Sequence, residues 1–122
     1  MSDNGILVIF SGPSGSGKDT VLNKLLNGRD DIKVSVSMTT RGMREGEIDG
    51  THYYFVNREY FEKKVSENMM LEYAEYNGNM YGTPKAPVDV MLDSGKAVIL
   101  EIEVQGAEKI RKIYPDVSSI FL

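Results

Sequence analysis

The segment from Gly12 to Lys18 has the residue types and the spacing of a loop that binds phosphate groups. It reads GPSGSGK and matches G-x-x-x-x-G-K, the beginning of the phosphate-loop motif. Glycines allow consecutive backbone N–H groups to curl around a phosphate, and a helix that begins near Lys18 directs its positive end at the anion. The Lys18 ammonium then reaches the outer phosphates as a point charge. A flexible glycine-rich turn is the alternative, but the strand and helix predicted on either side favour phosphate binding.

The position after Lys18 departs from the motif. Asp19 stands where serine or threonine normally offers a hydroxyl group to Mg²⁺, and Thr20, which has such a hydroxyl, comes one residue late. Either Asp19 holds the ion directly or through water, or Thr20 caps the loop and the ion keeps a mostly aqueous shell, which magnesium tolerates. The sequence leaves both alternatives open.

The segments around this loop predict a parallel sheet. Ile6–Phe10 is a continuous β-rich apolar run, the pattern of a strand buried on both faces. Strand and helix patterns then alternate along much of the chain, which indicates an α/β fold. Further strands are predicted at Val34–Ser37, Ala97–Ile102 and Val117–Leu122, and helices on the apolar positions Val21, Leu22, Leu25 and Leu26, on Val88, Met91 and Leu92, and on Ala107, Ile110 and Ile113.

A segment with local, antiparallel patterns interrupts this alternation between His52 and Thr83. Asn77-Gly78 separates two strand patterns, and Asn-Gly is a strong hairpin signal because a type I′ turn needs positive φ at both central residues. Thr83-Pro84 then predicts a helix start, with threonine as the N-cap and proline at the first helical position. We expect a small insertion on the main sheet, with strands at Tyr53–Val56, Met70–Tyr76 and Met80–Gly82 and a helix at Arg58–Ser66.

Composition is that of a small globular protein. The chain has 122 residues, of which 41% are hydrophobic and 26% charged, and a formal net charge of -4. This negative charge argues against a non-specific nucleic-acid binder, which works by displacing counterions from phosphates. Because cysteine is absent and His52 is the only histidine, a disulfide framework and a Cys/His zinc site are excluded. No apolar run is long enough for a membrane span or a signal-peptide core, so we expect a cytoplasmic protein.

Five motifs, in order and with compatible spacing, make the chain resemble the guanylate kinases. They are the phosphate loop, SMTTRGMREGE from Ser37 to Glu47, Gly50 with YYF at 53–55, GNMYGT from Gly78 to Thr83, and LEIEVQG from Leu100 to Gly106. The resemblance covers essentially the whole chain. It implies transfer of the γ-phosphoryl group of ATP to GMP, with Mg²⁺, on an α/β P-loop core that has a parallel sheet with helices on both faces and a small mixed α+β insertion that binds GMP. The expected divisions are the first part of the core at 1–36, the GMP-binding insertion at 37–83 and the second part of the core at 84–122.

The resemblance also implies which residues bind each nucleotide. Two arginines three residues apart on one loop can clamp a phosphate dianion, and a carboxylate can accept hydrogen bonds from the N1–H and the 2-amino group of guanine, which adenine cannot match. The catalytic cations would be Lys18, Arg41 and Arg44. The resemblance implies that the GMP phosphate is bound by Arg41, Arg44, Tyr53 and Tyr81, and that the guanine base is bound by Ser37, Glu72 and Thr83. It also implies that the ATP phosphates are bound by Gly12, Pro13, Ser14, Gly15, Ser16, Gly17, Lys18, Asp19 and Thr20.

Two glutamates come at the end of the strand predicted at Ala97–Ile102. Glu101 and Glu103 have the usual location of groups that face a ligand at the carboxyl end of a parallel sheet. The resemblance places Glu103 at the GMP site, although the family more often has aspartate at this position.

Two other functions compete with this interpretation. A phosphopeptide-binding module of the guanylate-kinase-like scaffold type keeps the fold, but such domains typically lack a working phosphate loop. A GTP hydrolase does not need a second phosphate site, which the segment Thr39-Thr40-Arg41 together with Arg44 describes. Guanylate kinases also continue well beyond the length of this chain, with a lid whose arginines act on the transferred group. The resemblance therefore implies a truncated polypeptide that binds GMP, transfers phosphoryl groups poorly and has an exposed apolar sheet edge.

Overall fold

The computed structural model describes residues 5–11, 18–102, 104–115 and 117–121. Its helices have nine or ten residues each, and in these ranges none is long and apolar enough to cross a membrane. In chain order the elements are β1 (Ile6–Ser11), α1 (Lys18–Leu26), β2 (Ile32–Val34), β3 (Met38–Thr39), β4 (Tyr54–Phe55), α2 (Arg58–Ser66), β5 (Met70–Tyr76), β6 (Asn79–Pro84), α3 (Lys85–Asp93), β7 (Ala97–Glu101), α4 (Val104–Ile113) and β8 (Ser118–Phe121).

The chain divides into two compact units. One, here called the parallel unit, comprises Met1–Ser35 and Pro87–Leu122, and the other, the inserted unit, comprises Val36–Ala86. Each unit has its own four-stranded sheet. A parallel sheet, a mixed sheet and helices together confirm the α/β class predicted from the sequence.

The parallel unit is built on a sheet with strand order β2-β7-β1-β8, in which all three pairings are parallel. β1 and β7 occupy the two central positions, and most of their apolar residues are buried, as expected for strands covered on both faces, although Ile6 at the start of β1 is exposed. Full burial of a side chain as large as that of Phe10 contributes roughly 1.5–3 kcal/mol. The fully buried residues of these strands are Ile9, Phe10, Val98 and Leu100, and the cluster that joins α1 to the sheet is Phe10, Leu22 and Ile99.

The inserted unit has the strand order β4-β3-β6-β5, with a mixture of directions. β6 pairs antiparallel with β5, as the hairpin pattern predicts, and also with β3, a strand that the sequence did not predict. The pairing of β3 with β4 is parallel, however, so the expectation of a purely antiparallel segment is wrong for this pair. Parallel neighbours need a connection of about a dozen residues or more, and the long polar loop from Thr40 to Tyr53 supplies it.

The hairpin between β5 and β6 forms where the sequence predicts it. Asn77 and Gly78 have φ values of 51° and 79°, so both central residues lie in the left-handed region that a type I′ turn requires. Phe61 of α2 is fully buried, with Met38 of β3 and Met80 of β6 in the same core cluster. The hairpin and α2 therefore hold the sheet of the inserted unit together.

Two predicted element boundaries are wrong. The second strand is Ile32–Val34 and not Val34–Ser37, because Ile32 and Val34 pack against the core cluster of the parallel unit, whereas Ser35 contributes only one further backbone hydrogen bond. Thr83-Pro84 does not begin α3 but ends β6. Proline is tolerated at such a strand end because it lacks only a ladder donor.

Two apolar residues predicted to lie in helix cores are instead exposed. Leu25 of α1 is 38% exposed and Ile113 of α4 is 49% exposed, and each lies at the C-terminal end of its helix. The other two positions predicted to lie in the core of α4, Ala107 and Ile110, are buried as expected, since they have no exposed surface. Helical periodicity identified the correct face but not where it stops contacting the core.

Candidate functional site

Hydrogen bonds to β6 fix the backbone just before Arg41. Thr39 is fully buried, and its hydroxyl donates to the Met80 carbonyl oxygen over 2.9 Å and accepts from the Arg41 N–H over 3.1 Å. The Thr40 hydroxyl accepts from the Met80 N–H over 2.8 Å. The loop that carries the two arginines thus starts from a rigid point on the sheet.

The Arg41 guanidinium forms a bidentate ion pair with Glu47. Nη1 donates to Oε1 over 3.0 Å and Nη2 donates to Oε2 over 2.8 Å, and the two side chains are only 11% and 18% exposed. Nη1 also donates to the Gly42 carbonyl oxygen over 2.9 Å. Paired planar groups of this kind form strong and geometrically specific hydrogen bonds.

The same pair shifts two pKa values. The Arg41 side chain, followed by the Arg44 backbone N–H, lowers the pKa of the Glu47 carboxyl from its ordinary value of 4.5 to about 2, and Glu47 in turn raises the pKa of Arg41. Since the folded-state pKa of Glu47 is depressed, its contribution to stability is present above pH 4.5 and is lost as the pH falls towards 2. At neutral pH both groups are charged.

Aromatic rings surround the same guanidinium. The carbon Cζ of Arg41 lies 5.2 Å from the ring centroid of Tyr53 and 5.8 Å from that of Phe55. Tyr81 of β6 meets Tyr53 edge to face at 6.1 Å between centroids. The face of an aromatic ring attracts a cation electrostatically, so this arrangement stabilises the charged guanidinium. Arg41, Tyr53 and Tyr81, three of the predicted phosphate ligands, therefore lie together.

Arg44 lies on the same loop and is exposed. Its backbone N–H donates to Oε1 of Glu47 over 2.7 Å, and its carbonyl oxygen accepts from the Glu47 N–H over 3.0 Å. Both predicted phosphate arginines are thus connected to one carboxylate, Arg41 through its side chain and Arg44 through its backbone.

Glu72 and Thr83 form a second polar pair in the inserted unit. They are direct partners across β5 and β6, and the Thr83 hydroxyl donates to Oε2 of Glu72 over 2.7 Å. Thr83 is fully buried and Glu72 is partly buried, so the hydroxyl holds one carboxylate oxygen in place at a partly buried position. Ser37, the third residue predicted to recognise the base, is half-buried just before β3, and its carbonyl oxygen accepts from the Tyr54 N–H over 2.8 Å.

Gly82 allows β5 and β6 to come close enough for this pair. A Cβ atom at position 82 would lie 2.7 Å from the Glu72 carbonyl oxygen and 2.9 Å from the Cβ of Tyr73. We expect Gly82→Ala to lower the free energy of unfolding by about 1–3 kcal/mol, because backbone must move to relieve the overlap. Urea unfolding measures the loss. Gly42→Ala, at a glycine with open space around it, serves as the control and should change stability little.

In the parallel unit, the described residues include only the two ends of the region that contains the predicted phosphate loop. β1 ends at Ser11 and α1 begins at Lys18, with Asp19 and Thr20 next in its first turn, so strand and helix bracket the motif as predicted. Glu101 ends β7, opposite Phe10 of β1, and one of its oxygens is buried without a hydrogen-bond partner among the described residues. The predicted ligands Gly12, Pro13, Ser14, Gly15, Ser16, Gly17 and Glu103 lie outside the described residues.

A family model described as guanylate kinase matches residues 4–122. The chain belongs to the guanylate kinase family. Guanylate kinases from Lactococcus lactis and Enterococcus faecalis are 52% and 53% identical to it, and each match covers 100% of this chain and 60% of the relative. The resemblance stated from the sequence motifs is thereby confirmed.

A solved structure agrees with this family assignment. The crystal structure of guanylate kinase from Anaplasma phagocytophilum matches with a TM-score of 0.78 at 40% sequence identity, over 97% of this chain and 59% of that chain. The described fold is therefore the guanylate kinase fold over the aligned region. The chain spans about 60% of the length of these relatives.

Within this guanylate kinase fold, the residues that support the loop were not predicted from the sequence. Glu47 stood in the quoted motif without a role, and Phe55 was assigned only to a strand. Thr39 was predicted only as part of the second phosphate site, and not as the buried residue that ties the start of the loop to β6. A usable signal was present for Glu47, since a carboxylate three residues after Arg44 can accept from its N–H in a tight turn.

Proposed function

We propose that this chain is part of a guanylate kinase that transfers the γ-phosphoryl group of ATP to GMP, giving ADP and GDP. Family membership supports the reaction class, and one observation supports the acceptor above all: the buried Thr83 hydroxyl holds the Glu72 carboxylate over 2.7 Å, in the same unit as Arg41. A carboxylate fixed in this way suits a base with two adjacent N–H donors. Guanine has such a pair, and adenine does not.

The acceptor phosphate is assigned to the cluster around Arg41. The guanidinium of Arg41 and that of Arg44 supply positive charge for a phosphate dianion, and the hydroxyl groups of Tyr53 and Tyr81 supply uncharged donors. In this role the inserted unit, Val36–Ala86, is the GMP-binding part of the chain. Ser37 and Glu103 complete the proposed set for the nucleotide.

ATP is assigned to the parallel unit. The first turn of α1 offers backbone N–H groups and the positive end of the helix to the phosphates, and Lys18 adds a cation there. Mg²⁺ bound with ATP would neutralise phosphate charge during transfer. The residues fit such an ion, because the buried oxygen of Glu101 has no hydrogen-bond partner among the described residues and a nearby cation would compensate it. Either Asp19 or Thr20 would hold the ion, as the sequence leaves open, and the carboxylate of Glu101 is a further candidate.

A calorimetric titration of the chain with GMP, AMP and ATP tests the proposal. We expect GMP to bind at least about tenfold more tightly than AMP, since the Glu72 carboxylate matches only guanine, and ATP to bind as well. Equal affinity for GMP and AMP would contradict the assignment of guanine to Glu72. Binding of a phosphoserine peptide without any nucleotide preference would instead favour a scaffold-type binding module.

A polypeptide of these 122 residues is further expected to transfer phosphoryl groups slowly. Phosphoryl transfer is accelerated by arginines that neutralise charge on the moving group, by about 10³- to 10⁵-fold in the case of an arginine finger. Outside the Arg41–Arg44 loop, each remaining arginine already contacts a carboxylate of its own unit: Arg29 contacts Asp31, Arg58 contacts Glu75, and Arg111 contacts Glu108. A coupled assay should give turnover far below the usual kinase range of about 1–100 per second. Turnover within that range would contradict this expectation without affecting the GMP assignment.

A further inference from the structure

One carboxylate connects the two arginines of the acceptor loop. Glu47 accepts two hydrogen bonds from the Arg41 side chain and one from the Arg44 backbone. Its own N–H donates to the Arg44 carbonyl oxygen, so its backbone belongs to the same turn. The Arg41–Glu47 pair is also largely shielded from solvent, at 11% and 18% exposure. No other carboxylate in the described residues contacts both arginines.

We propose that Glu47 is a positioning residue for the acceptor phosphate, which holds Arg41 and the backbone of Arg44 in their binding arrangement before the nucleotide arrives. The inference rests on the proposed function, because it takes the Arg41 loop to be the phosphate site. Glu47 itself has no contact with the nucleotide in this role. It acts through the arginines.

The physical advantage is preorganisation. A free arginine side chain loses rotamer entropy when it is fixed, and this loss weakens binding if it occurs only when the ligand binds. Here Arg41 is fixed beforehand by Glu47 on one edge and by the rings of Tyr53 and Phe55 on its faces. Glu47 also reduces the electrostatic repulsion between the guanidinium groups of Arg41 and Arg44, because its carboxylate carries the opposite charge.

Arg41 keeps donors for a ligand while it is paired. A guanidinium has five N–H donors. The bonds to Glu47 and to the Gly42 carbonyl engage three of them, all on Nη1 and Nη2, and the Tyr53 side chain also interacts with the guanidinium. The Nε edge is not used by Glu47. A phosphate can therefore approach Arg41 without displacing the carboxylate, which distinguishes a positioning role from that of a counterion that must leave.

The test compares GMP with guanosine, which lacks the phosphate. NMR titration reaches millimolar dissociation constants, so both ligands can be measured on the parent chain, on Glu47→Ala and on Glu47→Gln. We expect Glu47→Ala to weaken GMP binding about tenfold or more, because a misplaced charged group costs such factors, and to change guanosine affinity less than about twofold. Glu47→Gln keeps a hydrogen-bond acceptor in the turn, so it should recover part of the GMP affinity. Glu45→Gln, at an exposed neighbour in the same loop, is the matched control and should behave like the parent.

Each outcome is informative. Unchanged or tighter GMP binding in Glu47→Ala overturns the positioning role, and tighter binding would mean that the carboxylate competes with the phosphate. Equal losses for GMP and guanosine also overturn it, since they would reflect general damage to the inserted unit. If Glu47→Ala does not fold, the same comparison of GMP with guanosine is decided on Glu47→Gln, with a GMP-specific loss expected. A parent chain that binds no GMP would contradict the proposed function itself, whereas a parent that binds GMP beside an unaffected variant contradicts only the role of Glu47.

Discussion

Replacing Glu72 by glutamine is expected to weaken GMP binding about 100-fold and to reduce the preference for GMP over AMP. Glutamine offers one carbonyl acceptor, which the Thr83 hydroxyl can engage in place of the carboxylate oxygen, so the local structure should persist. Its NH₂ group then faces the N–H donors of guanine, and two donors facing each other leave both without a partner. Adenine presents an acceptor at N1, which an amide N–H can satisfy. Calorimetry with GMP and AMP on the parent and the variant measures the change.

A conservative substitution elsewhere in the inserted unit controls for the loss of charge. Glu59 is exposed in the first turn of α2, and Glu59→Gln removes one negative charge without altering the β5–β6 pair. We expect it to leave the GMP preference intact. If Glu72→Gln retains the full preference for GMP over AMP, guanine recognition must reside in other residues, and the assignment of Glu72 is wrong.

The parallel unit could be predicted from the sequence because its signals are long and local. The five-residue apolar run at Ile6–Phe10 and the run that ends at Glu101 leave no polar face for solvent, so they must be central strands. The Asn77-Gly78 turn was equally clear, since few dipeptides adopt positive φ at two successive positions. In each case, backbone sterics or the burial of apolar side chains allows only one local structure for the sequence pattern.

The errors arose where short segments depend on tertiary contacts. Thr83-Pro84 has the composition of a helix start, yet pairing with β5 and the bond to Glu72 keep both residues in β6. β3 and β4 have two residues each, too few for a period to indicate direction, and their parallel pairing depends on the long loop between them. Local propensity is a weak prior for elements of this size.

Some residues of the candidate site could likewise be predicted from the sequence, and others could not. Arg41, Arg44, Tyr53 and Tyr81 could be proposed from residue type and order, because few other groups bind phosphate. The partner of Arg41 could not, since a polar loop with several charges is usually a solvated surface. Only the fold shows that Glu47, six residues away, pairs with it at low exposure.

Replacing Lys18 by alanine is expected to weaken ATP binding about 100-fold while leaving the fold unchanged. Lys18 is the last residue of the predicted phosphate loop and the first residue of α1, so its charge is assigned to the outer phosphates of ATP. A hydrogen bond to a charged group contributes roughly 1.5–3 kcal/mol, and a 100-fold change in affinity corresponds to about 2.7 kcal/mol. GMP binding should not change, because its proposed ligands do not include Lys18 and all of them except Glu103 belong to the inserted unit. Calorimetry with each nucleotide and circular dichroism of both proteins measure these effects.

Lys24→Ala provides the matched control, since Lys24 is an exposed lysine in the last turn of the same helix and its removal changes the net charge equally. It should bind ATP as the parent does. The decisive comparison is between the two lysines: if both variants lose ATP affinity to the same extent, the effect of Lys18 is general electrostatics and not contact with phosphate. If Lys18→Ala unfolds the chain and the remaining folded fraction still binds ATP, Lys18 is a structural residue. Loss of ATP binding in a folded Lys18→Ala chain, with GMP binding retained, is the result that the phosphate-loop assignment requires.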